Sequence, residues 1–543
     1  MDAFIQWLTS ANDWLNGLVW GWPMIILILG TGIVLTILTK FLQVRKFGTS
    51  CNETIVPTVK SIVKKKDKED KKKDKEKTIS PFEAFATAIS GTVGTGNIVG
   101  VTAAIMSGGP GAVCWMWISA FFGMVTNYSE NVLGMYYRKK GADGEFAGGP
   151  AYYLSEGLAG KKGKGGEILK VIGKILAVAA ACFCLVAAIG MSGVQTNKIA
   201  ATFQNFSADP NVQWWIGLIV GIVVAIVLAL VILGGIKSIG RVTSILVPFM
   251  SLLFILMAIV VIFANIGALG GAFVAIFSNV FEFDAAAGGL TGFTVKTVTD
   301  VALKGFQRGI FSNEAGLGSS VIAHSASQTR EPVKQGFWGI FEVFFDTFII
   351  CTLTALVILV SVGPYNEVLY DGSMKDVQIS MGAFSSVFGD FGTVVYSIII
   401  PLFAFTTILA WSYYGEKSIE FLFSKTGEKG KKIAKNCFKI VYTILVVFSA
   451  ISSSDLAWAI SDASNALMAL PNLIGLVLMG GLVAKLTQNY LDRKAGKDVE
   501  PMLSAYPEQN EQFKKDLGMV NDVAEEEQAP QTQEAEEVAP TQE

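Results

Sequence analysis

Apolar runs long enough to cross roughly 30 Å of hydrocarbon recur along this chain at about 15–42, 81–106, 110–137, 168–203, 212–233, 241–266, 294–325, 335–361, 385–422, 436–451 and 454–485. They predict eleven transmembrane helices. Two of the runs are unlike the rest. Residues 90–100 read SGTVGTGNIVG and residues 309–320 read GIFSNEAGLGSS, which puts glycines and polar side chains in the middle of otherwise apolar spans. A lipid-facing backbone cannot leave N–H and C=O groups unpaired, so such breaks are tolerated only where protein buries them or they line a polar cavity. Close packing of small residues would explain the glycines alone. It explains less well why Thr92, Thr95 and Asn97 interrupt the same stretch.

The second break falls five spans after the first, so the two five-span sets start on opposite sides of the membrane. Interrupted helices at matching positions of two inverted halves point to a substrate site at the bilayer midplane of a secondary transporter. The predicted organisation is an N-terminal helix and basic linker over 1–80, a first repeat over 81–266, an extracellular loop and second repeat over 267–485, and a disordered acidic tail over 486–543. Basic residues fall in alternate loops: Arg45 to Lys77, Arg138 to Lys174, Lys237 with Arg241, Arg330 with Lys334, Lys417 to Lys439, and Lys485 to Lys497. The positive-inside rule makes these loops cytoplasmic, with the N-terminus outside and the C-terminus inside a multi-pass protein of the cell membrane.

Composition agrees with this reading. The 543 residues are 52% hydrophobic and 16% charged, with a mean hydropathy of +0.49, outside the soluble globular range. The formal net charge is only −2, but the lysine-rich run at 64–77 reads as a solvated linker that could also meet anionic lipid. The tail, rich in Glu, Gln, Pro and Ala, reads as disordered. Six cysteines carry no CxxC or metal-ligand spacing and read as packing residues. No soluble segment is large enough for a separate enzyme, and there is no P-loop, so neither a nucleotide nor a nucleic acid is expected as a partner.

Six motifs carry a family resemblance: GTVGTGN at 91–97, AGGPAYYL at 147–154, GVQTN at 193–197, LGGIKSIGRVT at 233–243, GIFSNEAGLGSS at 309–320 and AWSYYGEK at 410–417. Together they resemble the alanine or glycine:cation symporter family, and the match runs through all eleven spans. The resemblance implies sodium-coupled import of small neutral amino acids. It also implies a leucine-transporter-like fold, with one peripheral helix outside a 5+5 inverted-repeat core. Alternating access would then rock the second, third, seventh and eighth spans against the others.

A zwitterionic substrate needs donors for its carboxylate, expected at the main chain of Thr95, Gly96 and Asn97, where a half-helix dipole favours an anion. Its ammonium needs acceptors, expected at Asn97, Gln195 and the carbonyls of Phe311 and Ser312. Bulk that excludes larger side chains is expected from Phe311 and Trp411, because attraction alone discriminates by only about 1–3 kcal/mol per methylene. Sodium takes oxygen ligands, and two shells can be assembled. One uses Thr92, Asn97, Ser312 and Asp346. The other uses the carbonyls of Ser90 and Val93 with the hydroxyls of Thr406 and Thr407, a placement that recurs in leucine-transporter-like folds.

Charged groups inside the span region cost about 2.5–3.5 kcal/mol on insertion scales. Asp346 is read either as a cation or proton site or as the partner of Lys304 or Arg308. Arg308 could close an outer gate with Asp455 or Asp462, and Gly100 stands near where the leucine-transporter pattern has an arginine. Glu314 reads as a cap for freed backbone N–H groups, and His324 as a polar packing residue. A proton-coupled symporter of the same fold would use Asp346 or Glu314 as carrier. An ion channel is a further alternative, although two unlike breaks give no rotational ring of ligands.

Overall fold

The computed structural model describes residues 17, 19–63, 78–141, 144–159, 164–281, 283–286, 293–296, 298–452 and 454–519. The fold is an all-α polytopic membrane bundle. In chain order its helices are α1 (Trp22–Leu38), α2 (Pro81–Thr92), α3 (Val99–Gly108), α4 (Ala112–Tyr136), α5 (Pro150–Gly157), α6 (Lys164–Gln204), α7 (Pro210–Ile232), α8 (Gly235–Ala264) and α9 (Ile266–Ser278). Then come α10 (Val298–Asn313), α11 (Ser320–Ser325), α12 (Pro332–Ser361), α13 (Asp376–Phe388), α14 (Asp390–Leu422), α15 (Gly427–Ala450), α16 (Ser454–Lys494) and α17 (Pro507–Asp516). Three short helices fill the stretch from Leu42 to Val63. Two small antiparallel ribbons pair β1 (Lys139–Lys140) with β2 (Phe146–Ala147) and β3 (Phe283–Ala286) with β4 (Phe293–Lys296).

Among the described residues, seven helices are long and apolar enough to cross a membrane: the greater parts of α6 and α16, with α7, α8, α12, α14 and α15. The other expected spans fall short for identifiable reasons. α1 has only 17 residues. The second and seventh expected spans are each cut into two pieces, α2 with α3 and α10 with α11. α4 has 25 residues but buries Asn127, Glu130 and Asn131 among them.

Burial follows two solvents. Ile219, Ile222, Ile226 and Leu230 lie exposed along α7, as suits a helix facing hydrocarbon. By contrast α2, α4 and α12 bury polar side chains inside the bundle. α6 packs on α14 and α16, α4 on α12 and α10, and α2 on α8, α14 and α11. α1 lies against α4 and α16. The start of α2 is fixed by a capping box, with Glu83 N–H donating to Ser80 Oγ (3.2 Å) and Ser80 N–H to Glu83 Oε2 (2.8 Å), and with Pro81 at the first turn.

Three boundaries differ from expectation. The run read as ending at 266 continues into the separate helix α9, part of the segment expected to be a loop, and the seventh span starts at Val298 rather than 294 because β4 precedes it. The chain after residue 486 is ordered as far as residue 519, in contrast to the expected disorder. Leu503 and Phe513 pack with Phe146 in a small core, and Ala505 N–H donates to the Tyr136 carbonyl (2.9 Å). Two apolar anchors in a polar stretch are enough to dock it. The cysteines are free, but Cys182 and Cys437 are exposed rather than buried.

Candidate functional site

α2 ends where Val93 and Gly94 leave helical geometry, and a single 3-10 turn, Thr95–Asn97, precedes α3. The freed groups are met largely by neutral amides. Gly94 N–H donates to Asn97 Oδ1 (2.9 Å), while Thr95 offers both its N–H (3.2 Å) and its hydroxyl (2.9 Å) to Gln195 Oε1 on α6. Asn97 N–H donates back to the Gly94 carbonyl (3.3 Å). Two of the three expected main-chain donors are thus engaged within the protein, leaving Gly96. A side chain at 96 would meet the Phe311 ring at 3.0 Å, so glycine lets α10 approach the break face-on.

Asp346 joins the two broken helices. Its Oδ1 accepts from Asn97 Nδ2 (2.5 Å), and its Oδ2 accepts from Ser312 Oγ (2.9 Å) on α10 and from Thr347 Oγ1 (2.8 Å). Cys351 lies against the same group, 3.1 Å from Ser312 Oγ and 3.4 Å from Asn97 Nδ2. Residues 344–351 of α12 are π-helical, and such single turns recur at functional sites. The expected ion-pair reading of Asp346 does not hold, because Arg308 pairs with Asp462 instead and Lys304 reaches toward Gln307. A buried carboxylate bordered by hydroxyl and amide side chains is the donor set that a small hard cation takes, since hydroxyls rotate to offer lone pairs.

The second expected shell assembles in part. Thr407 Oγ1 donates to the Ser90 carbonyl (2.9 Å) and lies near the Phe403 carbonyl (3.0 Å), and a methyl at Gly94 would come within 2.5 Å of the same hydroxyl. Val93 is buried beside them. Thr92 bonds within its own helix, its hydroxyl to the Ile89 carbonyl (3.2 Å), and its carbonyl accepts from Gly94 N–H (2.9 Å). Thr406 turns toward Met250 and the Phe403 carbonyl, because neighbours on a helix diverge by about 100°.

At the second break, Glu314, Gly316 and Gly318 all adopt positive φ (54°, 94° and 73°). Glu314 does not cap the main chain as expected. Its carboxylate accepts from Ser319 Oγ (2.5 Å) and from Trp411 Nε1 (2.9 Å). Asn313 takes the capping role, its Oδ1 accepting from Ala315 N–H (3.0 Å). Asn472 on α16 donates to both Glu130 Oε1 (2.5 Å) and the Gly316 carbonyl (2.8 Å), and Tyr153 on α5 donates to Asn472. Trp411 is fully buried and tied to this break, while Phe311 stands at the first.

Further along α10, away from the basic loops, Arg308 pairs with Asp462 (3.2 Å), which also accepts from Gln307 Nε2 (3.0 Å). The Arg308 guanidinium lies 4.3 Å from the Trp458 ring centroid, and Trp458 packs on Phe311 at 4.7 Å. The side chain of Asp455 lies outside the described residues. Trp458, Thr347, Cys351, Asn313, Glu130 and Asn472 were missed by sequence reasoning. Asn472 sits one residue after Pro471 inside a long helix, a signal that could have marked it; Trp458 carried none among so many aromatics.

The profile of the sodium:alanine symporter family matches residues 5–504. The chain is similar to the sodium/alanine symporter AgcS of Methanococcus maripaludis, with 40% identity covering 89% of this chain and 97% of AgcS. It is also similar to the probable sodium/glutamine symporter GlnT of Bacillus subtilis, with 34% identity over 89% of this chain and 91% of that one. Among solved structures, MhsT in complex with L-phenylalanine aligns with a TM-score of 0.50 at 15% identity, over 76% of this chain and 99% of MhsT. That likeness is one of fold.

Proposed function

Because the chain belongs to the sodium:alanine symporter family, we propose that it is a secondary active transporter that imports small neutral amino acids, alanine foremost, together with sodium, by alternating access. Its eleven spans form one peripheral helix and two inverted five-helix repeats over 81–266 and 267–485. The N-terminus is outside and the basic loops are cytoplasmic.

One observation carries the reading. Asp346 is buried and bonded to Asn97 beside the first break and to Ser312 before the second. A carboxylate so placed costs several kcal/mol in a low-dielectric interior unless a positive charge joins it. Sodium held by Asp346, Asn97 and Ser312 neutralises it and couples the two half-helices. A second sodium position lies at the Ser90 and Val93 carbonyls with Thr407. The substrate carboxylate meets Gly96 and the Thr95 and Asn97 main chain, with Gln195 yielding its bonds from Thr95 and the Gly94 carbonyl yielding its bond from Asn97 N–H. Phe311 and Trp411 bound the space for the side chain. On the outer side, Arg308, Asp462 and Trp458 close over Phe311 as the gate.

The test is uptake of labelled alanine and glycine into proteoliposomes of the purified protein, with and without an inward sodium gradient. Uptake driven by sodium, and lost when choline replaces it, supports the reading. Uptake that persists in choline at acidic pH, or single-channel currents in a bilayer, overturns it.

A further inference from the structure

A second polar cluster lies beside Asp346, and the transport cycle above leaves it unused. On α12, Gln335, Gly339, Glu342 and Asp346 recur at spacings of four, three and four, so they share one stripe of the helix. The stripe is about 16 Å long at about 1.5 Å per residue. It meets α4 at Gly339, where a methyl would come within 2.4 Å of Asn127 Oδ1 and 2.6 Å of Asn131 Nδ2. Asn131 Nδ2 donates to Asn127 Oδ1 (2.8 Å), and Asn127 Nδ2 to Ser320 Oγ on α11 (3.2 Å). One turn along α11, His324 meets Glu342 Oε2 through Nε2 (2.9 Å) and the Gln335 amide nitrogen through Nδ1 (2.7 Å). Every one of these polar side chains is buried.

The balance of donors and acceptors is uneven. An amide nitrogen can only donate, so Nδ1 of His324 accepts and its proton sits on Nε2, facing Glu342. That neutral ring brings no charge to the carboxylate. Asn131 Oδ1 and Gln335 Oε1 remain buried without a hydrogen-bond partner, and Glu342 Oε1 has none at hydrogen-bond distance, with the Ser320 hydroxyl and the Asn127 amide facing its carboxylate. These are three oxygens of acceptor character at one helix interface, and interiors do not leave such groups unmet at no cost. A proton on Glu342 would supply a donor to one of them, whereas a cation is shared by several oxygens and also cancels the charge. No group of three or more His, Cys, Asp or Glu suited to a metal ion occurs among the described residues. The donors are one carboxylate with amides and a hydroxyl, which suits a hard monovalent ion. At its far end the stripe stops at Gln335, which is itself fully buried and borders a cleft at the basic end together with Glu331, Lys334 and Trp338.

We propose that Glu342, with Asn127, Asn131 and Ser320, forms an inner site for a monovalent cation, a relay between Asp346 and the basic-end cleft by which sodium leaves separately from the amino acid. The proposal rests on the reading of Asp346 as a sodium ligand and adds the ion's route. The test uses the full chain in proteoliposomes, with Glu342→Gln compared against wild type in three assays: sodium-dependent binding of labelled alanine, alanine exchange with saturating sodium on both sides, and net sodium-driven uptake. Exchange does not require the ion to leave. Binding and exchange are expected within about twofold of wild type, while net uptake and the release of radiolabelled sodium fall about tenfold or more. Net uptake at the wild-type level, or net uptake and exchange falling together, overturns the relay. If Glu342→Gln does not fold, Asn131→Ala serves: its net uptake should drop about threefold with exchange retained, and unchanged net uptake overturns the relay equally. Wild-type protein that shows no sodium-dependent alanine binding is a different failure, that of the transport reading itself.

Discussion

The two helix breaks solve the same problem with different chemistry. At the first, freed backbone groups are held by the neutral amides of Asn97 and Gln195, and no charged side chain belongs to the segment between α2 and α3. At the second, the chain passes through three residues of positive φ and is clasped by Asn472 with Glu130, and by Glu314 with Ser319 and Trp411. Neutral bonds exchange readily for bonds to a ligand. Carboxylate bonds in a dry interior are roughly twice as strong and are costly to break. The first break leans on one such bond, from Asn97 to Asp346, and the second on three, so the first is the better suited to bind and release and the second to hold its shape.

The sharpest test of this contrast is Asn97→Ala. Asn97 serves Gly94 N–H with its oxygen and Asp346 with its nitrogen, and stranding two buried partners costs about 1–3 kcal/mol each. Labelled-alanine uptake, normalised to protein in the membrane, is expected to fall about a hundredfold or more. Uptake within about twofold of wild type would remove Asn97 from the site and erase the distinction.

A smaller effect of another kind is expected from Gly316→Ala. With φ at 94° and a methyl 3.1 Å from Leu473, alanine there costs about 1–2 kcal/mol. The loss should appear as a lower melting temperature in detergent, while the alanine affinity of the folded fraction stays within about twofold. A loss of affinity at unchanged melting temperature would reverse the roles assigned to the two breaks.

Much of this was legible in the sequence, and what was not has physical causes. The breaks announce themselves because close packing explains glycines in an apolar span but not the polar residues that interrupt the same stretch. Asn97, Ser312 and Asp346 could be grouped because an intramembrane carboxylate needs partners. The division of labour around Glu314 was illegible: Asn313 and Glu314 are adjacent, either can cap, and only the left-handed turn at Glu314 sends its carboxylate toward Trp411. Glu130 and Asn472 lie 342 residues apart, and no periodicity joins them. α17 was hidden by composition, since a few apolar residues among many polar ones have the statistics of disorder.

The smallest expected effect tests the register of one helix turn. Thr406 and Thr407 are chemically identical neighbours on α14, and the sequence offers no way to rank them. Thr407 reaches the Ser90 carbonyl at 2.9 Å beside the first break, whereas Thr406 lies 3.7 Å from the sulfur of Met250 on α8. Valine keeps the shape of threonine and removes only the hydroxyl. Thr407→Val should weaken sodium activation of uptake about tenfold, because one oxygen near the Ser90 carbonyl is lost. Thr406→Val should shift it less than twofold, because its hydroxyl returns to its own helix at the Phe403 carbonyl. The sodium concentration for half-maximal uptake measures both, and equal shifts in the two variants would mean that α14 does not meet the first break in the register described.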